Sequence, residues 1–127
     1  VIVADASAVV SALLNAGPAR LALATEQVHA PHLVDAEVAS ALRRLAASGV
    51  VAAEHAERAL GTWQRLGINR HPVAGLLGRV WALRDALAAD DACYVALAEA
   101  LGCGLLTADA RLGRAPGLHC AVTIVPR

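Results

Sequence analysis

Residues Ala89–Leu112 read ADDACYVALAEALGCGLLTADARL. Gly102 punctuates the stretch. Before it, DDACYVALAEALG has the length and apolar density of a helix, and after it CGLLT is a short apolar run of the kind that forms a buried strand. Asp109 stands just past that run. A helix, a short connection, a buried strand and a polar residue at the strand's end make one unit of an α/β fold, and the rest of the chain repeats the pattern.

VIVAD (1–5) predicts a buried strand, and ASAVVSALLN predicts a helix that stops before Gly17-Pro18. ARLALATE predicts a short helix and QVHAP a short strand. HLVDAEVASALRRLAASG and AAEHAERALGTWQRLG predict helices ended by Gly49 and Gly67. INRHPV is a weak strand, AGLLGRVWALRDAL a further helix, and AVTIVP the final strand. The order is β-α-α-β-α-α-β-α-α-β-β. Strands alternating with helices imply an α/β sandwich around a mostly parallel sheet. Short connections, with no linker, repeat or low-complexity segment, lead us to expect one domain over 1–127.

Composition narrows the class. With 127 residues and 57% hydrophobic residues, the chain supports a core and does not suit disorder. No apolar run reaches membrane-span length. The opening residues carry Asp5 early and no basic n-region, so they do not suit a signal peptide. The expectation is a soluble, cytoplasmic protein. Eleven basic residues, all arginine, balance eleven acidic ones, which leaves no whole-molecule attraction to nucleic acid. Cys93, Cys103 and Cys120 show no C-x-x-C spacing, which does not suit a zinc site or a disulfide scaffold, and Cys93 and Cys103, in apolar runs, suit small core residues. His29 and His32 in HAPH suit an exposed turn.

The carboxylates carry the chemistry. Ligands of open α/β sheets bind beyond the carboxyl ends of the strands, where Asp5 and Asp109 fall. Each alone also suits a helix N-cap or an Asx turn. Glu37 lies at the edge of the apolar stripe formed by Val34, Val38, Ala41, Leu42 and Leu45, where lost solvation demands a partner. Asp90 and Asp91 open an otherwise apolar helix. Helical spacing sets Asp90 with Cys93, Leu97 and Leu101 and Asp91 with Tyr94 and Ala98, and does not settle which has a role. Converging carboxylates raise one another's pKa, and a hard divalent cation such as Mg2+ or Mn2+ relieves the repulsion. An all-oxygen set without His or Cys points to metal-assisted phosphodiester hydrolysis.

At these residues the chain resembles a known family. VIVADASAVVSALL, AEVASALRRL, LAADDACYVALAEALGCGLLTADARL and VTIVP together resemble the PIN-domain ribonucleases, and among them the toxins of bacterial VapBC toxin–antitoxin pairs. The resemblance spans nearly the whole chain, and the ordered pair D-A-x-Y-V-A-L-A-E-A-L-G and L-L-T-x-D-x-R-L is its specific part. It implies a three-layer α/β/α PIN-like sandwich. It further implies an endoribonuclease dependent on Mg2+, or Mn2+, that inhibits translation by cutting RNA. Its four acidic positions fall on Asp5, Glu37, Asp91 and Asp109, as catalytic residues and metal ligands, and its small hydroxyl positions fall on Ser7 and Thr107, as supports for the ligands. The resemblance selects Asp91, which leaves Asp90 as an N-cap or an outer charge whose removal mainly costs stability. Two departures stand out: Ser40 replaces an asparagine frequent three residues after the glutamate, and Asp90 replaces a frequent aromatic.

The resemblance also implies an RNA substrate, a cognate VapB-type antitoxin seated in a groove, and a homodimer. The antitoxin usually carries the DNA-binding part, so no DNA contact is expected from this chain. Arg44 lies seven residues after Glu37 on the same side of its helix. Arg44, Arg111 and Arg114, with Ser40, are candidate RNA or antitoxin contacts. Trp63, Trp81 and Tyr94 suit core or dimer contacts rather than base-stacking platforms.

Rival readings fit less well. A phosphoacceptor receiver domain needs a lysine, and the chain has none. A haloacid-dehalogenase-type phosphatase needs D-x-D where the sequence has Asp5-Ala6-Ser7. There is no G-x-x-x-x-G-K and no G-x-G-x-x-G. From another class, a catalytically silent PIN-like module acting through a protein partner is the alternative.

Overall fold

The computed structural model describes all residues, Val1–Arg127. The chain begins with β1 (Ile2–Ala4), α1 (Ala6–Leu14) and α2 (Pro18–Thr25). It continues through β2 (Val28–Pro31), α3 (Val34–Ala47), α4 (Ala53–Arg65) and β3 (Asn69–His71). A 3-10 turn (Ala74–Leu76), α5 (Leu77–Ala82), α6 (Ala89–Leu101), β4 (Gly104–Thr107), α7 (Ala110–Arg114) and β5 (Val122–Ile124) complete it.

The five strands lie in the order β3-β2-β1-β4-β5, and every neighbouring pair is parallel. The chain steps outward from β1 to β2 and β3, then returns past β1 to β4 and β5. Right-handed crossovers therefore place α1–α4 on one face and α5–α6 on the other, which gives the three-layer α/β/α sandwich. Val3, Ala4, Ala30, Leu105 and Leu106 are buried between the layers, as strands covered on both faces require.

The sheet is wholly parallel rather than mostly parallel because of α7. Five residues are too few to show a period, and the sequence reading ran one strand directly into the next. The helix folds over β5 closely enough that a Cβ on Gly113 would meet the Ile124 side chain at 3.3 Å. A second difference lies before α6. The helix predicted over AGLLGRVWALRDAL is only the six-residue α5. The Leu83 N–H reaches both Arg79 and Val80 carbonyls, a tightening that closes a helix, and buried Leu83 turns the chain back toward α6.

HAPH is an exposed turn only at His32. His29 is half-buried in β2, and its Nδ1 lies 2.8 Å from His71 Nε2 on β3. The two strands run in register, Pro31 beside His71, which sets the rings against each other. Trp63 and Tyr94 are core residues, whereas Trp81 is 68% exposed.

No single helix is long and apolar enough to cross a membrane.

Candidate active site

The chain reverses its direction of travel between β1 and β4, and a crevice opens there at the carboxyl ends of the strands. Asp5 follows β1 directly. Its backbone N–H donates to the Leu106 carbonyl at 3.0 Å, so the β1–β4 register carries on and brings Thr107 beside it. Three donors fix the Asp5 carboxylate. Oδ1 accepts from Ser7 Oγ at 2.6 Å and from the Ala8 N–H at 3.0 Å. Oδ2 accepts from the Thr107 hydroxyl, and Ser7 and Thr107 lie 3.2 Å apart. The Ala8 bond makes Asp5 the N-cap of α1. The capping reading and the functional reading of this residue thus describe one carboxylate with two uses. Asp5 is buried, and no buried side-chain polar atom in the protein lacks a partner.

Ser7 and Thr107 also reach the fourth acid's loop. Ser7 Oγ accepts from the Ala108 N–H at 2.9 Å, and Thr107 Oγ1 accepts from the Asp109 N–H at 3.0 Å. Two hydroxyls therefore tie the ends of β1 and β4 together. Asp109 in turn caps α7, its Oδ1 accepting from the Arg111 N–H at 3.0 Å.

Glu37 stands in the first turn of α3, half-buried. The partner demanded by its lost solvation is the Tyr94 hydroxyl, which donates to Oε1 at 2.5 Å. That bond joins α3 to α6 and so links the two helical layers across the end of the sheet. The sequence suits Tyr94 to a core or dimer contact and gives it no part in the site. It is buried, but its hydroxyl reaches the site. The signal lay in pairing a buried tyrosine, which needs a partner for its O–H, with a buried glutamate that needs a donor.

Asp90 and Asp91 both reach the crevice. The residue at the N-cap of α6 is Ala88, with no side-chain bond, so Asp90 is not a cap. Asp91 is half-buried and Asp90 exposed. Ala92 through Ala98 are all buried, so α6 has no solvent face in that span from which a register can be taken.

The crevice, about 1060 Å³, thus collects Asp5, Glu37, Asp90, Asp91 and Asp109, with Ser40 and Arg44 along its wall. A smaller adjoining pocket of about 310 Å³ lies on the far side of Asp91 and Asp109 and holds Arg111 and Arg114. Of these five acids only Asp109 has an ion-pair partner. Burial pushes the Glu37 carboxyl up, and Asp90 and Asp91 add to the rise against the opposing Tyr94 bond. Burial likewise pushes Asp91 up, reinforced by Asp90, Asp109 and Asp5. Asp109 moves the other way because the Arg111 guanidinium sits on it.

An all-oxygen set under mutual repulsion fits a hard divalent cation in its chemistry. In the arrangement shown, no three of these carboxylates converge on one point. Asp109 faces Arg111 with both of its oxygens, so part of the donor set is already engaged.

The Tyr94–Glu37 bond gives a direct expectation. Tyr94→Phe should cost about 1–3 kcal/mol at pH 7, the range for leaving a buried polar group unpaired. The bond serves the ionised carboxylate, so its contribution is present at neutral pH and fades as pH falls through the Glu37 titration. An NMR titration of the Glu37 carboxyl should show a higher midpoint in Tyr94→Phe than in the wild type, and an unchanged midpoint refutes the coupling.

A parallel α/β/α sandwich with acids gathered at the ends of its central strands is the architecture of a PIN domain, and the chain belongs to that family. The PIN domain profile matches residues 2–118. Within the family it falls with the VapC ribonucleases. It is 55% identical to ribonuclease VapC9 of Mycobacterium tuberculosis over 126 residues, 99% of either chain. Among solved structures it is similar to PAE2754 from Pyrobaculum aerophilum, with TM-score 0.71 and 25% identity over 95% of this chain and 81% of that one. VapBC2 from Rickettsia felis, solved bound to a DNA fragment from its promoter, shares the fold with TM-score 0.68 and 14% identity over 97% of each chain.

Proposed function

We propose that this chain is the toxin of a type II toxin–antitoxin pair, a divalent-metal-dependent endoribonuclease that hydrolyses RNA phosphodiesters and so inhibits translation in the cytoplasm. The observation that carries the reading is the gathering of Asp5, Glu37, Asp91 and Asp109 in one crevice, in a chain 55% identical to a VapC ribonuclease.

Asp5, Asp91, Asp109 and Glu37 would hold the ion. When bound, Mg2+ or Mn2+ supplies an activated water and neutralises phosphate charge. The protein's own residues do the positioning. Asp5 is held from several sides and does not need to reorganise. Ser7 and Thr107 orient it and fix the Asp109 loop. Glu37, steadied by the Tyr94 hydroxyl, would position the ion or its water. Arg44 and Ser40 on one side, and Arg111 and Arg114 on the other, are positioned to meet RNA backbone on either side of the acids.

The apolar half of the crevice, with Val10, Leu14, Leu45 and Val51 among its lining, suits an amphipathic segment of a VapB-type antitoxin. Exposed Leu77 and Trp81, one turn apart on α5, supply an apolar face for a homodimer.

The direct test is cleavage of a labelled RNA after exhaustive dialysis against EDTA. Activity should be absent, and should return on adding Mg2+ or Mn2+. Cleavage that persists undiminished in EDTA overturns the metal-dependent reading.

A further inference from the structure

Asp109 is the one acid of the crevice that a cation of the protein itself already holds. Arg111 Nε donates to Asp109 Oδ1 at 3.1 Å and to Oδ2 at 3.2 Å, and a terminal guanidinium nitrogen donates to Oδ2 at 2.7 Å. Both oxygens are thus covered by a planar fork, the strongest geometry available to such a pair. The two partners differ sharply in burial. The Asp109 side chain is 16% exposed, the Arg111 side chain 79%. The guanidinium lies over the carboxylate from the solvent side, free to swing outward.

A further bond makes that release inexpensive. Asp109 Oδ1 also accepts from the Arg111 backbone N–H. The cap of α7 therefore survives when the guanidinium leaves, and no helix has to unwind.

We propose that Arg111 is a positioning residue that latches Asp109 while the site is empty of metal and is displaced by the divalent ion. This rests on the reading of Asp5, Asp91, Asp109 and Glu37 as metal ligands. The guanidinium and the ion compete for the same two oxygens, so the apparent metal affinity is lowered by the latched fraction. An ion pair this exposed is weak, so the effect is modest: relief of the latch should tighten metal binding about threefold.

The experiment is a Mn2+ titration followed by electron paramagnetic resonance, without RNA, on the wild type, Arg111→Gln, Arg111→Lys and Asp91→Asn. Arg111→Gln should bind Mn2+ about threefold tighter than wild type. Arg111→Lys should fall between, because lysine keeps the charge but not the fork. Asp91→Asn should bind at least about tenfold weaker, as befits the loss of a ligand. In parallel, the Nε–H NMR signal of Arg111 in the wild type should move to the position of a free arginine as Mg2+ is added. Equal or weaker Mn2+ binding by Arg111→Gln, or an Arg111 signal unmoved at saturating Mg2+, overturns the latch while the metal reading stands. Asp91→Asn binding as tightly as wild type overturns the metal reading, and the latch with it.

Discussion

Asp91→Asn is expected to lower metal-dependent RNA cleavage by at least about 100-fold, on the scale of losing one group that stabilises transition-state charge, and at the same time to raise the unfolding temperature at pH 7. Both effects follow from one placement. Asp91 is half-buried at the start of α6 and faces Asp90, Asp109 and Asp5. Burial and these neighbours lift its pKa, so the folded state holds its proton more tightly than the unfolded chain does. Stability is then lost as pH rises from the unfolded pKa through the folded one. Asparagine has no charge to lose. The gain in the variant should be present above the folded pKa and should vanish as pH falls below the unfolded value. Thermal melts at pH 7 and pH 3, beside a cleavage assay in Mg2+, test both halves. An active Asp91→Asn protein, or one less stable at pH 7, refutes the placement. Asp90→Asn is the natural comparison. Asp90 is exposed and caps nothing. Its favourable place in the first helical turn offsets its repulsion of Glu37 and Asp91. It should stay within about 0.5 kcal/mol of wild type and keep most of its activity.

The second large effect lies away from the acids. Trp63→Ala should destabilise the protein by about 3–5 kcal/mol, a large share of the roughly 5–15 kcal/mol a domain has to lose. Trp63 is 2% exposed on α4. Its Nε1 donates to Asp35 Oδ1 at 2.8 Å. Arg70 donates to both oxygens of the same carboxylate, at 2.7 and 2.9 Å, and lies 5.4 Å from the indole centroid. One side chain thus fastens α4 to α3 and to β3. Its removal leaves a cavity and an acid with one partner fewer. Urea unfolding followed by circular dichroism measures the loss. Trp81→Ala, on an exposed residue, should change stability by no more than about 0.5 kcal/mol. Equal losses at the two tryptophans contradict the packing described. Because α3 also carries Glu37, partial unfolding of Trp63→Ala should loosen the crevice before the sheet melts.

Much of this was legible in the sequence because it depends on short-range pattern. Asp5 and Asp109 stand immediately after apolar runs, and that position alone puts them at the ends of parallel strands. Glu37 stands at the edge of an apolar stripe, and the need for a partner followed. The partner itself did not, because Tyr94 is 57 residues away and belongs to a helix buried around most of its circumference. The same burial defeated the choice between Asp90 and Asp91: a helical wheel discriminates only when one side meets water. The His29–His71 pair was hidden for a related reason. It exists only through the register of two parallel strands 42 residues apart, which no local pattern encodes. The five-residue α7 fell below the length at which periodicity speaks, and with it went the direction of the last strand.

The hydroxyl of Thr107 and the carboxylate of Asp5 are separated by 102 positions along the chain, yet each completes the other. Such a contact forms late, after a long loop has closed. On the ribosome, where the N-terminal part emerges first, Asp5 has only its local partners until Thr107 has emerged as well. A truncated or half-made product therefore carries no assembled crevice. For a ribonuclease, the order of assembly has a consequence of its own: no site exists until both ends of this fold have been made.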